Sequence, residues 1–225
     1  MDLKVAMPSE RWIFIGVYLM SARRLHFLIL FTAAIIGAAT SSVSVAAEIQ
    51  QPPREVIEKV GNILGLLCDQ LWAANDEFWH KGEIKRCIVT MQVITEIDPQ
   101  DTEAFTDMAW LLSGEGNNDA AKATYEKAIS LNPKAVDLYF DFGMHYFGLK
   151  QYDDAIKILE SALPLTPSAL HWKLLAHAYE HAGRYDDSVK MWLHVKEMTP
   201  DDPAVGINLP RVQELAVKSA NQKPN

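Results

Sequence analysis

One short segment of this sequence has the residue types and the spacing of a zinc-dependent hydrolase. His177 and His181 lie four positions apart with Glu180 between them, in the string H-A-Y-E-H. On a helix the two imidazoles share one face, and H-x-x-E-H is the inverted zinc-protease signature. A catalytic zinc usually has three protein ligands, however, and the sequence assigns no third one. Metal binding or metal-dependent hydrolysis centred on this segment is therefore one alternative for the function.

Catalytic chemistry is otherwise sparse in the chain. The sequence contains no glycine-rich phosphate loop, no nucleophile-elbow serine and no Cys-x-x-Cys pair. His145, His171 and His194 are isolated histidines, and each is expected to be a surface or interface polar group. We therefore predict a protein that is not an enzyme and that requires no cofactor and no metal.

The elements that carry these residues are marked out by four prolines. Pro99, Pro133, Pro167 and Pro200 follow one another at intervals of 34, 34 and 33 residues, and similar residue types recur at the same offsets before each. A fixed period near 34 with a proline closing each unit resembles the tetratricopeptide repeat (TPR) family. The resemblance implies an all-α fold, a right-handed superhelical solenoid in which antiparallel helix pairs stack on one another.

The packing pattern of that family recurs in three of the units. Small residues let two helix axes approach closely, and a bulky residue one turn away fills the remaining gap. On first helices the matching positions are Phe105, Met108, Ala109 and Leu112; Tyr139, Phe142, Gly143 and Tyr146; and Trp172, Leu175, Ala176 and Tyr179. The unit closed by Pro99 is looser, since Asn75 and Cys87 stand where a small residue is expected. We predict about four repeats over residues 66–200.

Helices are expected on both sides of the array. Residues 48–65 are predicted to form a linker and a flanking helix with apolar residues at helical spacing. Residues 201–225 are predicted to form a capping helix and a tail. Pro210 suits its first helical position, and Val212, Leu215 and Ala216 would cover the last repeat. The bonding of Cys68 and Cys87 stays open, although their expected separation of roughly 15 Å along the helix pair favours two buried thiols over a disulfide.

The first 47 residues resemble a secretory signal peptide. Arg23 and Arg24 precede an apolar run over residues 25–39, and small residues lead to a cleavage position after Ala47. Translation from Met20 would leave a more typical signal. An uncleaved membrane anchor is the alternative, although the run is shorter than the roughly 20 apolar residues that a spanning helix prefers. We therefore expect export to the periplasm or the extracellular space.

The charge of the chain limits its partners. The full sequence has 21 lysines and arginines against 29 aspartates and glutamates. Removing residues 1–47 takes away four basic and two acidic residues, which leaves 17 against 27 and a net charge of −10. An acidic surface repels phosphate backbones. We therefore expect no nucleic acid as a partner, and instead another protein or peptide segment that is apolar or basic.

The resemblance also implies where such a partner binds. In this family the concave groove is lined by first-helix positions that the packing pattern leaves free. The groove residues predicted in this way are Trp72, Asp76, Trp79, Trp110, Phe140, Met144, Phe147, Lys173, His177 and His181. Lys173 is the only basic residue among the groove positions, so the family's two-carboxylate clamp for chaperone tails is rejected. Two alternatives stay open: the N-terminal segment fills the groove, or the register differs and these rings are core.

The predicted function is therefore a protein–protein interaction module. The chain would act as an adaptor, scaffold or assembly factor of the cell envelope or the secreted fraction, and Trp72, Trp110 and Phe147 are expected to be accessible for contact. A further alternative is a membrane-tethered scaffold that associates with itself, which requires that the N-terminal segment is retained.

Overall fold

The computed structural model describes residues 52–222, and this part of the chain contains α-helices, one short 3-10 segment (Leu163–Leu165) and no strand. The α-helices are α1 (Arg54–His80), α2 (Ile84–Ile97), α3 (Thr102–Gly114), α4 (Asn118–Leu131), α5 (Val136–Gly148), α6 (Tyr152–Ser161), α7 (Ala169–His181), α8 (Tyr185–Met198) and α9 (Pro203–Gln222). The all-α prediction is confirmed. The described residues fall into two compact units that meet at residues 104 and 105, and each unit is described by itself.

Within the second unit, the helices pack in the order expected of stacked hairpins. In two of the helix pairs the first helix packs on the second, or return, helix of the same pair: α5 packs on α6, and α7 packs on α8. Each return helix also contacts the next first helix, as α6 contacts α7, and α5 contacts α7 directly. The last pair is completed by α9, which packs on α8. This arrangement is a TPR-type solenoid, as the proline period predicts.

The turn that joins the two helices of a pair recurs with the same backbone geometry. Gly82, Gly116 and Gly183 have φ angles of 69°, 80° and 73°, and Lys150 occupies the equivalent position with a φ of 60°. After each of them, one N–H donates to the carbonyl five residues earlier, as from Asn117 to Leu112 at 2.9 Å. This left-handed helix end favours glycine because a Cβ crowds the following carbonyl. Lys150 is the exception among the four.

The predicted packing positions form the core of the second unit. All twelve first-helix positions named above are buried except Leu112 and Trp172, which are partly buried. Their neighbours on the return helices include Tyr125, whose ring stacks on Phe142 with centroids 5.0 Å apart. The closest approach is at Gly143, where an added Cβ would lie 2.6 Å from Leu159 Cγ. Glycine is therefore required for α5 and α6 to pack at this distance.

The first unit contains a longer helix than the sequence suggests. The predicted flanking helix and the first helix of the first repeat form one continuous helix, α1, of 27 residues. Its C-terminal half packs on α2, where Asn75 is buried and Cys87 Sγ lies 3.7 Å from the Asn75 carbonyl oxygen. Its N-terminal half carries exposed apolar side chains, including Val60 and Ile63. Both cysteines are free.

The capping helix begins earlier than predicted. A start at Pro210 is wrong, because α9 begins at Pro203 and includes Pro210 in its interior. Asp202 Oδ1 accepts a hydrogen bond from the Ala204 N–H at 2.9 Å, which satisfies one of the free donors at the helix start. The longer helix adds Val205 and Leu209 to Val212 in a buried cluster with Ala176, Trp192 and Val195.

The predicted signal peptide or anchor, residues 1–47, lies outside the described residues. Between residues 52 and 222, no helix combines the length and the apolar character needed to cross a bilayer.

Candidate binding surface

A pocket of about 610 Å³ opens between α3 and α5 in the second unit. This volume lies within the range of roughly 300–1,000 Å³ that is typical of ligand pockets. We call it the α3–α5 pocket. Its lining residues are Thr106, Asp107, Trp110, Ser113, Tyr125, Phe140, Asp141, Met144, His145, Gly148 and Leu149. Three of the predicted groove residues, Trp110, Phe140 and Met144, therefore meet at one site.

The apolar lining of the pocket is accessible to solvent. Trp110 is 60% exposed and Met144 is 46% exposed, and Phe140 is partly buried. Both exposed residues lie on the helix side opposite the packed core. Large apolar side chains that stay exposed together are typical of contact surfaces, because their burial by a partner is favourable.

The same pocket contains two carboxylates. Asp107 and Asp141 occupy equivalent positions of successive units, 34 residues apart. Asp141 is partly buried, and burial raises its pKa, as do the nearby Asp137 and Asp107 carboxylates, while a hydrogen bond from Thr106 opposes the shift. Burial also lowers the pKa of His145. The neutral imidazole is therefore favoured next to the carboxylates.

Phe147 and His181 lie in a separate aromatic cluster. The Phe147 ring meets the His181 ring edge-on with centroids 5.3 Å apart, and His181 stacks on Tyr152 at 5.0 Å. Phe147 is consequently only partly accessible. Its side chain has a packing role between α5 and α7, in addition to any contact with a partner.

The helix α9 and the loop before it occupy the polar side of α7. Lys173 forms an ion pair with Asp202, so that the predicted basic residue of the groove is neutralised. Glu180 accepts two hydrogen bonds from Arg211, one of them at 2.8 Å, and this pairing lowers the Glu180 pKa. His177 Nδ1 lies 3.7 Å from Glu180 Oε2.

This geometry gives the H-A-Y-E-H segment a structural role. The His177 ring packs edge-on against Trp192 at 5.2 Å, whereas His181 turns towards Tyr152. Burial lowers the pKa of His177. In the part of the chain that the structure describes, no group of three or more His, Cys, Asp or Glu side chains is placed to hold a metal ion.

The first unit contains the other predicted groove residues. Trp79 is 46% exposed and Asp76 is exposed at the C-terminal end of α1. Trp72 is partly buried, and its Nε1 donates to Asp101 Oδ2 at 3.0 Å. Trp72 therefore fixes the segment between α2 and α3, and is less accessible than the sequence suggests.

The carboxylates of the α3–α5 pocket were missed by sequence reasoning. The positions expected to face the groove were taken from the family pattern, and Asp107 and Asp141 are not among them. A signal was nevertheless present, because an aspartate recurs at the same offset in two neighbouring units, which the packing pattern does not require.

Comparison with known proteins agrees with the repeat assignment. The model of the tetratricopeptide repeat family matches residues 112–177. BBSome complex member BBS4 from Bos taurus, and the protein of the same name from Mus musculus, are each 26% identical over 122 residues, which are 54% of this chain and 24% of theirs. The chain thus spans about a quarter of the length of these curated relatives.

Solved structures show the same fold at low sequence identity. A crystal structure of MamA is 18% identical, with a TM-score of 0.56 over 68% of this chain and 84% of that protein. The pilF protein of Pseudomonas aeruginosa is 16% identical, with a TM-score of 0.56 over 69% and 71% of the two chains. A thermophilic TPR protein of Thermus thermophilus is 18% identical, with a TM-score of 0.51 over 65% and 81%.

Residues 112–177 therefore match the tetratricopeptide repeat family, and the solved structures share the fold of the described residues. Proteins of that family generally mediate protein–protein interaction, and the fold is typically non-enzymatic.

Proposed function

We propose that this protein is a non-enzymatic adaptor, scaffold or assembly factor that binds a segment of another protein in the α3–α5 pocket. The observation that carries the proposal is the joint exposure of Trp110 and Met144 over a pocket that also contains two carboxylates. A segment seated there would bury both side chains. Aromatic anchors of this kind supply much of the binding energy in protein interfaces.

The metal-dependent alternative has less support. Its glutamate is engaged by Arg211 of α9, and its two histidines contact different aromatic rings. A metal at His177 and His181 would have to displace these contacts. The three residues are better explained by packing: Glu180 holds the C-terminal helix through Arg211, His177 packs on Trp192, and His181 packs on Tyr152.

The binding proposal is tested by affinity capture from an extract of the native cell envelope. The bait is the full chain with a C-terminal affinity tag, beside a Trp110→Ala/Met144→Ala variant. A matched control is Val217→Ala/Leu193→Ala, which removes two apolar side chains of similar exposure, 62% and 42%, that do not line the pocket. We expect a protein that is retained by the wild type and the control and lost by the pocket variant.

Two results would contradict the proposal. Equal retention by all three baits would place the contact elsewhere, and no retained protein at all would remove the adaptor function. Circular dichroism of the three baits shows whether the pocket variant is folded.

The cellular location is also part of the proposal. The basic, apolar and small-residue order of residues 1–47 supports export with cleavage after Ala47. N-terminal sequencing of the tagged protein purified from its host is the test. A start at Glu48 supports export with cleavage, whereas a start at residue 1 or Met20 favours the membrane-tethered scaffold.

A further inference from the structure

The α3–α5 pocket combines its aromatic lining with two aspartates. Eleven residues line it, all of them described, and none is a lysine or an arginine. Asp107 and Asp141 therefore give the lining a formal charge of −2 near neutral pH. Lys173, the basic residue predicted for the groove, is already paired with Asp202.

The environment of Asp141 favours a positive charge nearby. The carboxylate is partly buried, and Asp107 and Asp137 add repulsion that the Thr106 hydrogen bond offsets in part. Removing a carboxylate from water is costly unless an opposite charge or further donors compensate. A cation in the pocket would supply that compensation.

The apolar walls of the pocket suit the aliphatic stem of a lysine or arginine side chain as well as its charged group. The Trp110 and Phe140 rings offer aromatic surface to a cation or to the plane of a guanidinium. Met144 is flexible and offers a thioether that can contact a chain of methylene groups. Lysine and arginine have such stems, and they bury the stem along apolar surface while the charged group keeps polar partners.

We propose that the α3–α5 pocket binds a lysine or arginine side chain of a partner segment, with Asp141 and Asp107 pairing with its charge and Trp110 and Met144 covering its stem. This inference rests on the proposed function. It adds that the side chain of the partner that enters the pocket is cationic. Charge complementarity and the aromatic walls together favour a cationic side chain over a purely apolar one.

The test starts from a library of random 12-residue peptides displayed on phage and selected on the full-length protein. A peptide that binds the wild type and not the Trp110→Ala variant is selected, and any lysine in it is changed to arginine. The peptide is then synthesised in two forms, one with the arginine and one with citrulline, its neutral isostere, in place of the arginine. We expect the citrulline form to bind the wild type about 10-fold more weakly, as is typical of a charge-assisted contact.

Two variants locate that preference in the pocket. Asp141→Asn keeps the size and the acceptor for Thr106, and it should reduce the arginine-to-citrulline ratio towards one. Met144→Lys places an ammonium of the chain itself beside the carboxylates, and it should weaken the arginine peptide strongly, whereas Met144→Gln should not. Met144 is exposed, so both substitutions are compatible with folding.

The pH dependence of binding gives a second readout. A bound cation favours ionised Asp141, so affinity should fall as the pH decreases through the raised pKa of this group. Protonation of His145 would add a positive charge to the lining and act in the same direction, and Asp107 and Asp137 are the other carboxylates near Asp141. Tyr125, whose pKa is raised by burial, stays neutral. The Asp141→Asn variant should show a shallower pH profile.

The outcomes separate the two proposals. Peptides that bind through Trp110 without any preference for a cation, or with a preference for acidic residues, overturn the assignment of the pocket and leave the adaptor function standing. A selection that yields no peptide for the wild type overturns both. An arginine preference that persists in Asp141→Asn and Met144→Lys overturns the assignment to these carboxylates.

Discussion

The two faces of α5 differ in burial and in how closely their residues match the repeat pattern. On one face Phe142, Gly143 and Tyr146 are buried against α4 and α6, and the residue types match the family pattern at each position. On the other face Met144 is exposed and Asp141 lines an open pocket. The buried face is fixed by the geometry of helix packing, whereas the open face is free to vary between units. Binding specificity is therefore expected on the face that the repeat pattern does not constrain.

The largest predicted effect compares one residue from each face. Phe142→Ala removes a fully buried ring that stacks on Tyr125 and Tyr146, and it should lower the free energy of unfolding by about 3–5 kcal/mol. Met144→Ala should change it by less than about 0.5 kcal/mol, since Met144 is a surface residue. Urea unfolding followed by circular dichroism measures both. Similar losses from the two variants would contradict the division into two faces.

The second prediction concerns the closest helix contact. Gly143→Ala places a methyl group against the buried Leu159 side chain, and it should destabilise the protein by about 1–3 kcal/mol despite the better helix propensity of alanine. Gly148→Ala, at the end of the same helix, has open space around the new methyl group. It should be neutral or stabilising by up to about 1 kcal/mol. A loss of stability in the control would show that backbone conformation, rather than contact with Leu159, decides the effect.

The third prediction uses the turn after α5, which belongs to neither face. Lys150→Gly relieves a left-handed conformation and should stabilise the protein by about 0.5–1 kcal/mol. Lys157→Gly, in the exposed middle of α6, should instead destabilise it by about 1 kcal/mol. Thermal unfolding distinguishes the two, and a lower melting temperature for Lys150→Gly would refute the argument.

The smallest predicted effect concerns α7, whose polar side is occupied by the C-terminal helix. Arg211→Ala removes the pair with Glu180, which is partly exposed, and should cost about 0.5–1 kcal/mol at neutral pH. Glu180 has a lowered pKa in the folded protein, so its contribution is present above the ordinary pKa of a glutamate and is lost as the pH falls through the lowered value. The wild type and the variant should therefore converge in acid. Unfolding measured from pH 7 to pH 3 tests this, and a constant difference would argue for lost packing of the arginine stem.

The packed face was predictable because sequence period and helix geometry determine it together. The proline spacing gives the repeat, and the small and large residues then identify which side chains meet, as at Gly143. The turns are also visible in the sequence, as glycines at residues 82, 116 and 183. The start of α9 was not predictable from Pro210, since a proline is compatible with the first helical turn at both Pro203 and Pro210. Capping by Asp202 and burial of Val205 decide between them.

The candidate site was predictable only in part. The family pattern identified Trp110, Phe140 and Met144, and these three residues line one pocket. It did not show that Trp72 donates a hydrogen bond to Asp101, or that Phe147 packs against His181. Such contacts depend on side chains from elements that are distant in sequence. The accessibility of a position therefore requires the packed structure, whereas its place on a helix face does not.

The position of the α3–α5 pocket has a mechanical consequence. Its walls come from the first helices of two consecutive repeats, and each of these helices is supported by its own return helix. A ligand that contacts both walls would resist the bending and twisting of one repeat against the next. Binding of a partner in this pocket is therefore expected to make the contact between these two repeats stiffer, so that the flexibility of the helix stack would differ between the free and the bound protein.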